Sequence, residues 1–417
     1  MVQVIKRNGD VVNFQRDKIS VAIQKAMKEV RDEINTYEVR AATDKVVDSI
    51  EQRKENISVE EIQDIVERAL MTSGMKDVAK SYITYRYLHG LARDKYQELM
   101  DVVDEKLSAK NVQNQNANVD EKSFGGRVGE TADAVMRKYA LEYCVSSMAK
   151  KNHENNEIYI HDLSSYAVGS HNCLTLPLDD LLANGFNTRQ VDIRPAQSVS
   201  TAFQLVAVLF QLQSLQQFGG VAASHLDWSM VPYVRKSFWK HFKDGMTYIG
   251  GFNANISEMT DNSGRAIDDP TYTECESWYK YALDMTKKEV YQAVEAMFHN
   301  LNSLQSRSGN QLPFSSINFG TCTLPEGRMV IKAILETSIK GVGKLHRTSI
   351  FPCSIFQLMT GVNRTPRDPN YDLYRLALRS TAQRLYPNYA NCDWSGNAGY
   401  DKKDPRTYFA TINKTVA

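Results

Sequence analysis

Long apolar runs are missing from this 417-residue chain. No stretch approaches the roughly 18 residues needed to cross a bilayer. The N-terminus, with Lys6, Arg7 and Asp10, lacks a signal-peptide core. Membrane insertion is therefore not expected, and a cytoplasmic location is. Charge of one sign is also missing. Fifty basic residues face 49 acidic ones, a net charge of +1, so no overall field would draw in nucleic acid or an acidic membrane. The six cysteines, Cys144, Cys173, Cys275, Cys322, Cys353 and Cys392, stand singly with no C-x-x-C pair. That spacing argues against a zinc site and against a disulfide framework, leaving free thiols in a reducing cytosol. No internal repeat or long low-complexity tract is visible.

The first ninety residues carry the clearest pattern. Val4-Ile5-Lys6-Arg7-Asn8-Gly9 reads as a hairpin in which Gly9 supplies a positive φ, letting Lys6 and Arg7 converge on one anion. Lys18 follows in the first turn of a helix, where its charge opposes the helix dipole unless an anion is bound. Ile19, Ala22, Ile23, Ala26, Met27 and Val30 repeat at helical spacing. A second helix spans 37–50. Ser58-Val59-Glu60-Glu61 has the form of a capping box and opens another, with Ile62, Ile65, Val66, Ala69 and Leu70 on one face. A fourth begins near Lys76 and runs through Tyr82, Tyr85 and Arg86. The alternative for any isolated K-R-x-G is a surface hairpin with solvated cations.

Beyond this module a charged helix is predicted from about Arg93 to Lys110, then a polar run from Asn111 to Asn118 that reads as a linker, then a helix from Glu130 to about Lys151. Helices and short strands alternate from there, with 158–161, 315–319 and 348–351 as predicted strands, which is an α/β pattern. Ser198, Ser200 and Thr201 precede a predicted helix over 202–218. Such hydroxyls either cap a helix, which is the safer reading, or leave its amides to a phosphate such as that of a substrate. Gly219-Gly220 would end that helix. Gly341-Val342-Gly343-Lys344 lacks the first glycine and the Ser/Thr of a phosphate loop and reads as a turn.

The block V-x-K-R-x-G, F-x-x-x-K-I, I-x-x-x-E-I-Q-D and Y-I-x-Y-R resembles the ATP-cone, a nucleotide-sensing module at the start of many ribonucleotide reductases. By resemblance, Lys6, Arg7, Gly9 and Lys18 would hold ATP or dATP, with Lys80 and Arg86 on the last helix as further contacts. Ile158-Tyr159-Ile160-His161-Asp162 and Asn172-Cys173 are similar to the I-H-x-H-D and N-C segments of the anaerobic ribonucleoside-triphosphate reductases, a glycyl-radical family. Further likenesses run in order through Gln311 to Phe314, Phe351-Pro352, Asp368 to Asp372 and Tyr386-Pro387. The resemblance implies an allosteric cone over residues 1–92, a connecting helix and linker over 93–126, and part of a ten-stranded α/β barrel over 127–417. It also implies a ribonucleoside triphosphate substrate, ATP and dATP as effectors, formate as a reductant in many members, a homodimer, and a radical-SAM activating enzyme as partner. Cys173 corresponds to the reductant-side cysteine.

After Tyr408-Phe409-Ala410-Thr411 the family pattern would continue with Met-Gly-Cys-Arg on a finger loop, whose cysteine carries the thiyl radical. Ile412 to Ala417 depart from it. The zinc site and glycyl radical segment would lie in a part this sequence does not contain. Three origins are open: a split gene completed by a second polypeptide, an interrupted gene, and a deliberate fragment, with the interrupted gene favoured because the last six residues look unrelated to those before them. The expectation is a reductase portion inactive by itself. The alternative is a non-catalytic ATP/dATP-sensing regulator, although cone-bearing repressors carry a zinc ribbon ahead of the cone and no cysteine here precedes Cys144. A glycyl-radical lyase would need two adjacent active-site cysteines, which the chain lacks.

Overall fold

The computed structural model describes all residues except 1, 54, 109–122, 170, 218, 251–259, 307–310, 394–398, 410 and 412–417. The predicted Asn-rich linker and the divergent last six residues lie outside the described ones. Contacts divide the chain into two compact units, Met1–Val102 and Val103–Ala417.

In the first unit, strand β1 (Gln3–Ile5) pairs antiparallel with β2 (Val11–Asn13) and parallel with β3 (Ile57–Ser58), so the expected hairpin gains a third strand. Gly9, at φ +87°, makes the turn, and its N–H donates to the Lys6 carbonyl at 2.9 Å. Helices α1 (Arg16–Lys28), α2 (Thr36–Glu51) and α3 (Val59–Thr72) follow. Ser58 caps α3 with Glu61 reciprocating, as the capping box predicts. The apolar stripes meet in one core that includes Val4, Ile23, Met27, Val46, Ile50, Leu70 and Val78. The helix expected from Lys76 and the charged helix expected from Arg93 are a single element, α4 (Lys76–Ser108), and the unit boundary falls inside it. No glycine–proline punctuation separates them, and Gly90 alone is tolerated in a helix at a cost of about 1 kcal/mol.

The second unit opens with α5 (Phe124–Tyr143) and α6 (Ser147–Glu154) where one helix was predicted. Ser146 starts the second by accepting the Ala149 N–H. A short helix α7 (Leu163–Tyr166) leads to β4 (Leu174–Thr175). Residues 158–161 form no strand. The Ile160 N–H is taken by Nδ1 of His153 at 3.2 Å instead of a ladder partner. After α8 (Leu178–Asn184) and the small ribbon β5 (Phe186–Asn187) and β6 (Asp192–Ile193) comes α9 (Val199–Ser214). Next come β7 (Val221–Ala223), α10 (Leu226–Ser229), α11 (Val231–Tyr248), α12 (Pro270–Thr273), α13 (Glu276–Leu301) and β8 (Ser315–Phe319). The chain continues through α14 (Pro325–Lys340), β9 (Cys353–Leu358), α15 (Tyr371–Arg384) and β10 (Asn388–Asn391).

Strands β10, β9, β8, β7 and β4 lie in that order in one five-stranded sheet, and every pair in it is parallel. The predicted strand at 315–319 is β8 itself. The strand predicted at 348–351 is displaced to 353–358. The N–H groups of Ile350 and Phe351 are held by Oδ1 of Asn302, and Pro352 has none to offer a ladder. Because successive strands are neighbours joined by helices, one sheet face is covered. Val221, Ala223, Ile317, Phe319 and Phe356 pack there with α9, α13 and α14 residues such as Phe203, Val294 and Ile331. Strand alternation sends Thr175, Ala222, Ser316, Asn318 and Gln357 to the opposite, inner face. None of the described helices is long and apolar enough to cross a membrane.

Candidate functional sites

In the N-terminal unit a cavity of about 600 Å³ lies between α1 and α4. Lys18, Lys25 and Asp17 line it with Ser81, Tyr82 and Tyr85, and small residues Ala22 and Ala26 give it depth. Lys18 is the one predicted cone residue on its wall. Lys6 and Arg7 do not converge on a shared anion as expected. Lys6 Nζ lies 3.9 Å from Asp10, whereas the Arg7 guanidinium is held by Glu60 and, at 3.2 Å, by Gln63 on α3. Arg86 is likewise occupied, 2.6 Å from Asp64 and 2.8 Å from Glu67. Lys80 is exposed, and its neighbour Ser81 faces the cavity instead. Burial pushes the Tyr82 hydroxyl up to about 12, against the fields of Arg86 and Arg7. Lys25 and the two tyrosines were missed. The signal was their phase, since Lys18 and Lys25 sit seven residues apart on one α1 face and Tyr82 and Tyr85 three apart on α4.

In the second unit Cys173 is exposed, immediately before β4. Its Sγ lies 3.5 Å from Asn172 Oδ1 and accepts the Gly220 N–H at 3.4 Å. Gly219 and Gly220 do not end α9, which stops at Ser214. Their role is close approach: a Cβ on Gly219 would fall 1.7 Å from the Asn172 carbonyl oxygen. Cys173 shares the inner face by strand alternation with Thr175, while the thiols of Cys322, Cys353 and Cys392 are buried. Burial, with Asp393 and Asp227 adding to it, pushes Cys392 up to about 12, and Cys322 is pushed up further for the same principal reason.

The hydroxyls before α9 serve the helix itself. Ser198 Oγ accepts the Thr201 N–H at 3.2 Å, Ser237 Oγ accepts the Val199 N–H at 2.9 Å, and Ser200 Oγ donates to Glu289 at 2.9 Å. Capping, the safer reading of Ser198, Ser200 and Thr201, is the role these bonds describe, and a substrate phosphate there would have to displace them. A carboxylate already sits at that helix start and would repel an anion. Two groups escaped sequence reasoning altogether. Asp179, His225 and Ser224 form a hydrogen-bonded chain at 3.0 and 2.6 Å at the end of β7. Asp227, fully buried, accepts the N–H groups of Gly320, Thr321 and Cys322 at 2.9, 3.0 and 2.9 Å. Among the described residues no cluster of three His, Cys, Asp or Glu side chains would hold a metal ion.

Family profiles match both units: the ATP cone domain over residues 2–91 and anaerobic ribonucleoside-triphosphate reductase over 115–409. The anaerobic ribonucleoside-triphosphate reductase of Haemophilus influenzae is 31% identical over 396 residues, covering 94% of this chain and 52% of the relative. That of Escherichia coli strain K12 is 30% identical, covering 94% and 51%, and that of phage T4 is 32% identical over 280 residues, covering 67% and 42%. A solved anaerobic ribonucleotide reductase from Thermotoga maritima, in complex with dATP and CTP, aligns over 73% of this chain and 50% of its own at 13% identity and a TM-score of 0.46. The chain spans about half the length of the curated relatives it matches. With a profile covering most of the α/β unit and a second covering the helical unit before it, this chain belongs to the anaerobic ribonucleoside-triphosphate reductase family.

Proposed function

We propose that the chain contributes the effector-binding module and one wall of the active site of an anaerobic ribonucleoside-triphosphate reductase acting in the cytoplasm. The observation that carries this reading is the exposed Cys173 thiol at the start of β4, on the polar face of the parallel sheet, while three other thiols of the same unit are buried. Reduction replaces the ribose 2′-hydroxyl with hydrogen. A thiol suits that task because it gives up a proton and one electron as the hydroxyl leaves as water, the second electron and proton of this two-electron reduction coming from formate as it is oxidised to carbon dioxide. Cys173 is the donor in this scheme, and Gly219 and Gly220 hold it against the neighbouring strand. Radical initiation, formate as the ultimate reductant, a homodimer, the activating enzyme and a second polypeptide carrying the remaining segment all belong to the proposal for the whole enzyme.

Lys18 and Lys25 supply positive charge, and Tyr82 and Tyr85 aromatic surface, for an ATP or dATP molecule in the α1–α4 cavity. Arg7 and Arg86, held by carboxylates of α3 that a phosphate can replace, are recruited when the triphosphate arrives. Titration calorimetry tests this directly. A dissociation constant on the order of 10 µM, about 7 kcal/mol, is expected for ATP or dATP, weakened roughly tenfold by Lys18→Ala. Absence of binding heat in the intact chain sinks the effector role. For the sheet unit, mass spectrometry of the chain treated with a nucleotide analogue that alkylates thiols should find the adduct on Cys173, and an adduct confined to Cys144 would refute the active-site assignment.

A further inference from the structure

Asn318 is fully buried on the inner face of β8, yet every hydrogen-bonding group of its side chain is engaged. Nδ2 donates to the Ala223 carbonyl at 2.9 Å and to the Thr411 carbonyl at 3.2 Å, while Oδ1 accepts the Thr411 N–H at 3.1 Å. A side-chain amide thereby pairs with a single peptide residue as another backbone would. Such a pairing selects register, because a slip of one residue turns the N–H and C=O groups away and reverses every side chain that follows. Thr411 is anchored from upstream too. Tyr408 is buried against Met359 and Cys392, and its hydroxyl donates to the Lys402 carbonyl at 2.8 Å.

A second observation lies on the same face. Gln357, also fully buried, donates from Nε2 to the Ser224 carbonyl at 3.0 Å, but its Oε1 has no hydrogen-bond partner among the described residues. A buried acceptor left open in this way costs about 1–3 kcal/mol, so it points to an N–H donor from something lying across the sheet. Asn318 and Gln357 reach toward consecutive carbonyls, those of Ala223 and Ser224, and so stand side by side at the end of β7.

We propose that Asn318 is a positioning residue whose side-chain amide fixes the register in which backbone is laid over the inner face of the sheet at Thr411, with Gln357 Oε1 as the adjoining acceptor of the same seat. The inference rests on the reading of that face as the active-site wall carrying Cys173. Asn318 touches no reacting atom in this scheme.

Hydrogen exchange of the Thr411 amide, read in the intact chain, tests the seat. In the wild-type chain the amide is expected to be protected at least tenfold relative to an unstructured peptide. Asn318→Asp keeps the shape and one acceptor but, when ionised, sets a charge against two carbonyl oxygens. Protection should therefore fall roughly tenfold at about pH 8 and recover at about pH 5, where a buried carboxyl regains a proton and with it the donor. No such pH dependence is expected for the wild-type protection factor. Equal protection in the two chains at about pH 8 overturns the proposal. If the variant does not fold, the wild-type measurement still decides, because an unprotected Thr411 amide is incompatible with the seat. Labelling the same samples with the thiol-alkylating nucleotide analogue separates the two claims: protected Thr411 with no adduct on Cys173 refutes the active-site reading alone, and an adduct on Cys173 with unprotected Thr411 refutes the seat alone.

Discussion

The two units place their polar interactions differently. In the N-terminal unit the ion pairs are at the surface: Arg31 with Glu38 and Asp77, Arg86 with Asp64 and Glu67, and Arg7 with Glu60 all leave side chains about one-quarter to just over one-half exposed. In the sheet unit Asp227, Glu326, Asn318, Gln357, Asn363 and Asn370 are fully buried. Water screens the first set, so each pair is weak and its cations can exchange a carboxylate for a phosphate at little cost. Nothing screens the second set. Each buried group is held to one geometry, and its loss strands partners that cannot turn to solvent. The helical unit's polar contacts are thus exchangeable and the sheet unit's are fixed, which is the division of labour the proposed effector module and active-site wall would require.

Asp227 should break the comparison most visibly. Burial raises its carboxyl pKa, and the N–H groups of Cys322, Gly320 and Trp228 pull it back down. Asp227→Ala would leave the amides of residues 320–322 without an acceptor at the turn between β8 and α14. A loss of about 3–5 kcal/mol is expected in urea unfolding of the sheet unit. The first unit should keep its own transition. A loss below about 1 kcal/mol would mean that the buried network is as exchangeable as the surface one.

Gly219→Ala comes next. Its Cβ has no room beside the Asn172 carbonyl, so either the strand start shifts or the chain overpacks, at about 1–3 kcal/mol. The sharper readout is thiol chemistry. In the wild-type chain iodoacetamide should modify Cys173 and Cys144 before Cys322, Cys353 and Cys392. The substitution should change the Cys173 rate and leave the Cys144 rate alone. Unchanged labelling at Cys173 would show that the glycine pair does not position the thiol.

The acid limb of stability should come from the second unit. Desolvation opposes ionisation of Glu289, but hydrogen bonds from His241 and Ser200 outweigh it, and its pKa is lowered on folding. A carboxylate depressed in the folded state contributes stability above its unfolded value, about 4.3, and that contribution fades as pH falls from there toward the lower folded value. Removing it with Glu289→Gln should flatten the pH dependence of the second transition in that window by about 1 kcal/mol. An unchanged slope would show that Glu289 is not protonated differently in the two states.

How far the sequence revealed these features depended on where the physics was local. The Ser58 capping box, the Gly9 turn and strand β8 were legible because each is set by residues within a few positions of one another. The predicted strand at 158–161 failed because β-branched and aromatic composition does not say who accepts the N–H. Here a histidine ring five to eight residues upstream does, and Tyr159 stays exposed. Helix α4 was divided because a charged surface past Arg86 reads as a new element when its partners are unknown. The N-C motif marks Cys173 locally, but the glycine pair beside it reads as a helix end, since the carbonyl Gly219 must avoid is 47 residues away in sequence. Asn318 and Gln357 left no signal at all. A buried parallel strand shows polar residues on its inner face only after the sheet is assembled.

The smallest effect tests the other half of the comparison. Arg31 forms a fork on Asp77, at 2.6 and 2.8 Å, and reaches Glu38 at 2.6 Å, joining the end of α1 to the starts of α2 and α4. The fork lowers the Asp77 carboxyl to about 2, the hydrogen bond from Arg31 being the main cause. Arg31→Lys preserves the charge but loses the planar two-point contact, so the remaining ammonium pairs with one carboxylate at a time. An exposed arrangement of this kind is worth only about 0.5–1 kcal/mol, and it should shrink as salt is raised to about 1 M. If the substitution costs several kcal/mol, or if its cost is insensitive to salt, the network is fixed structure and not a set of contacts available for exchange with a nucleotide. The contrast between the two units would then have to be sought in their cores.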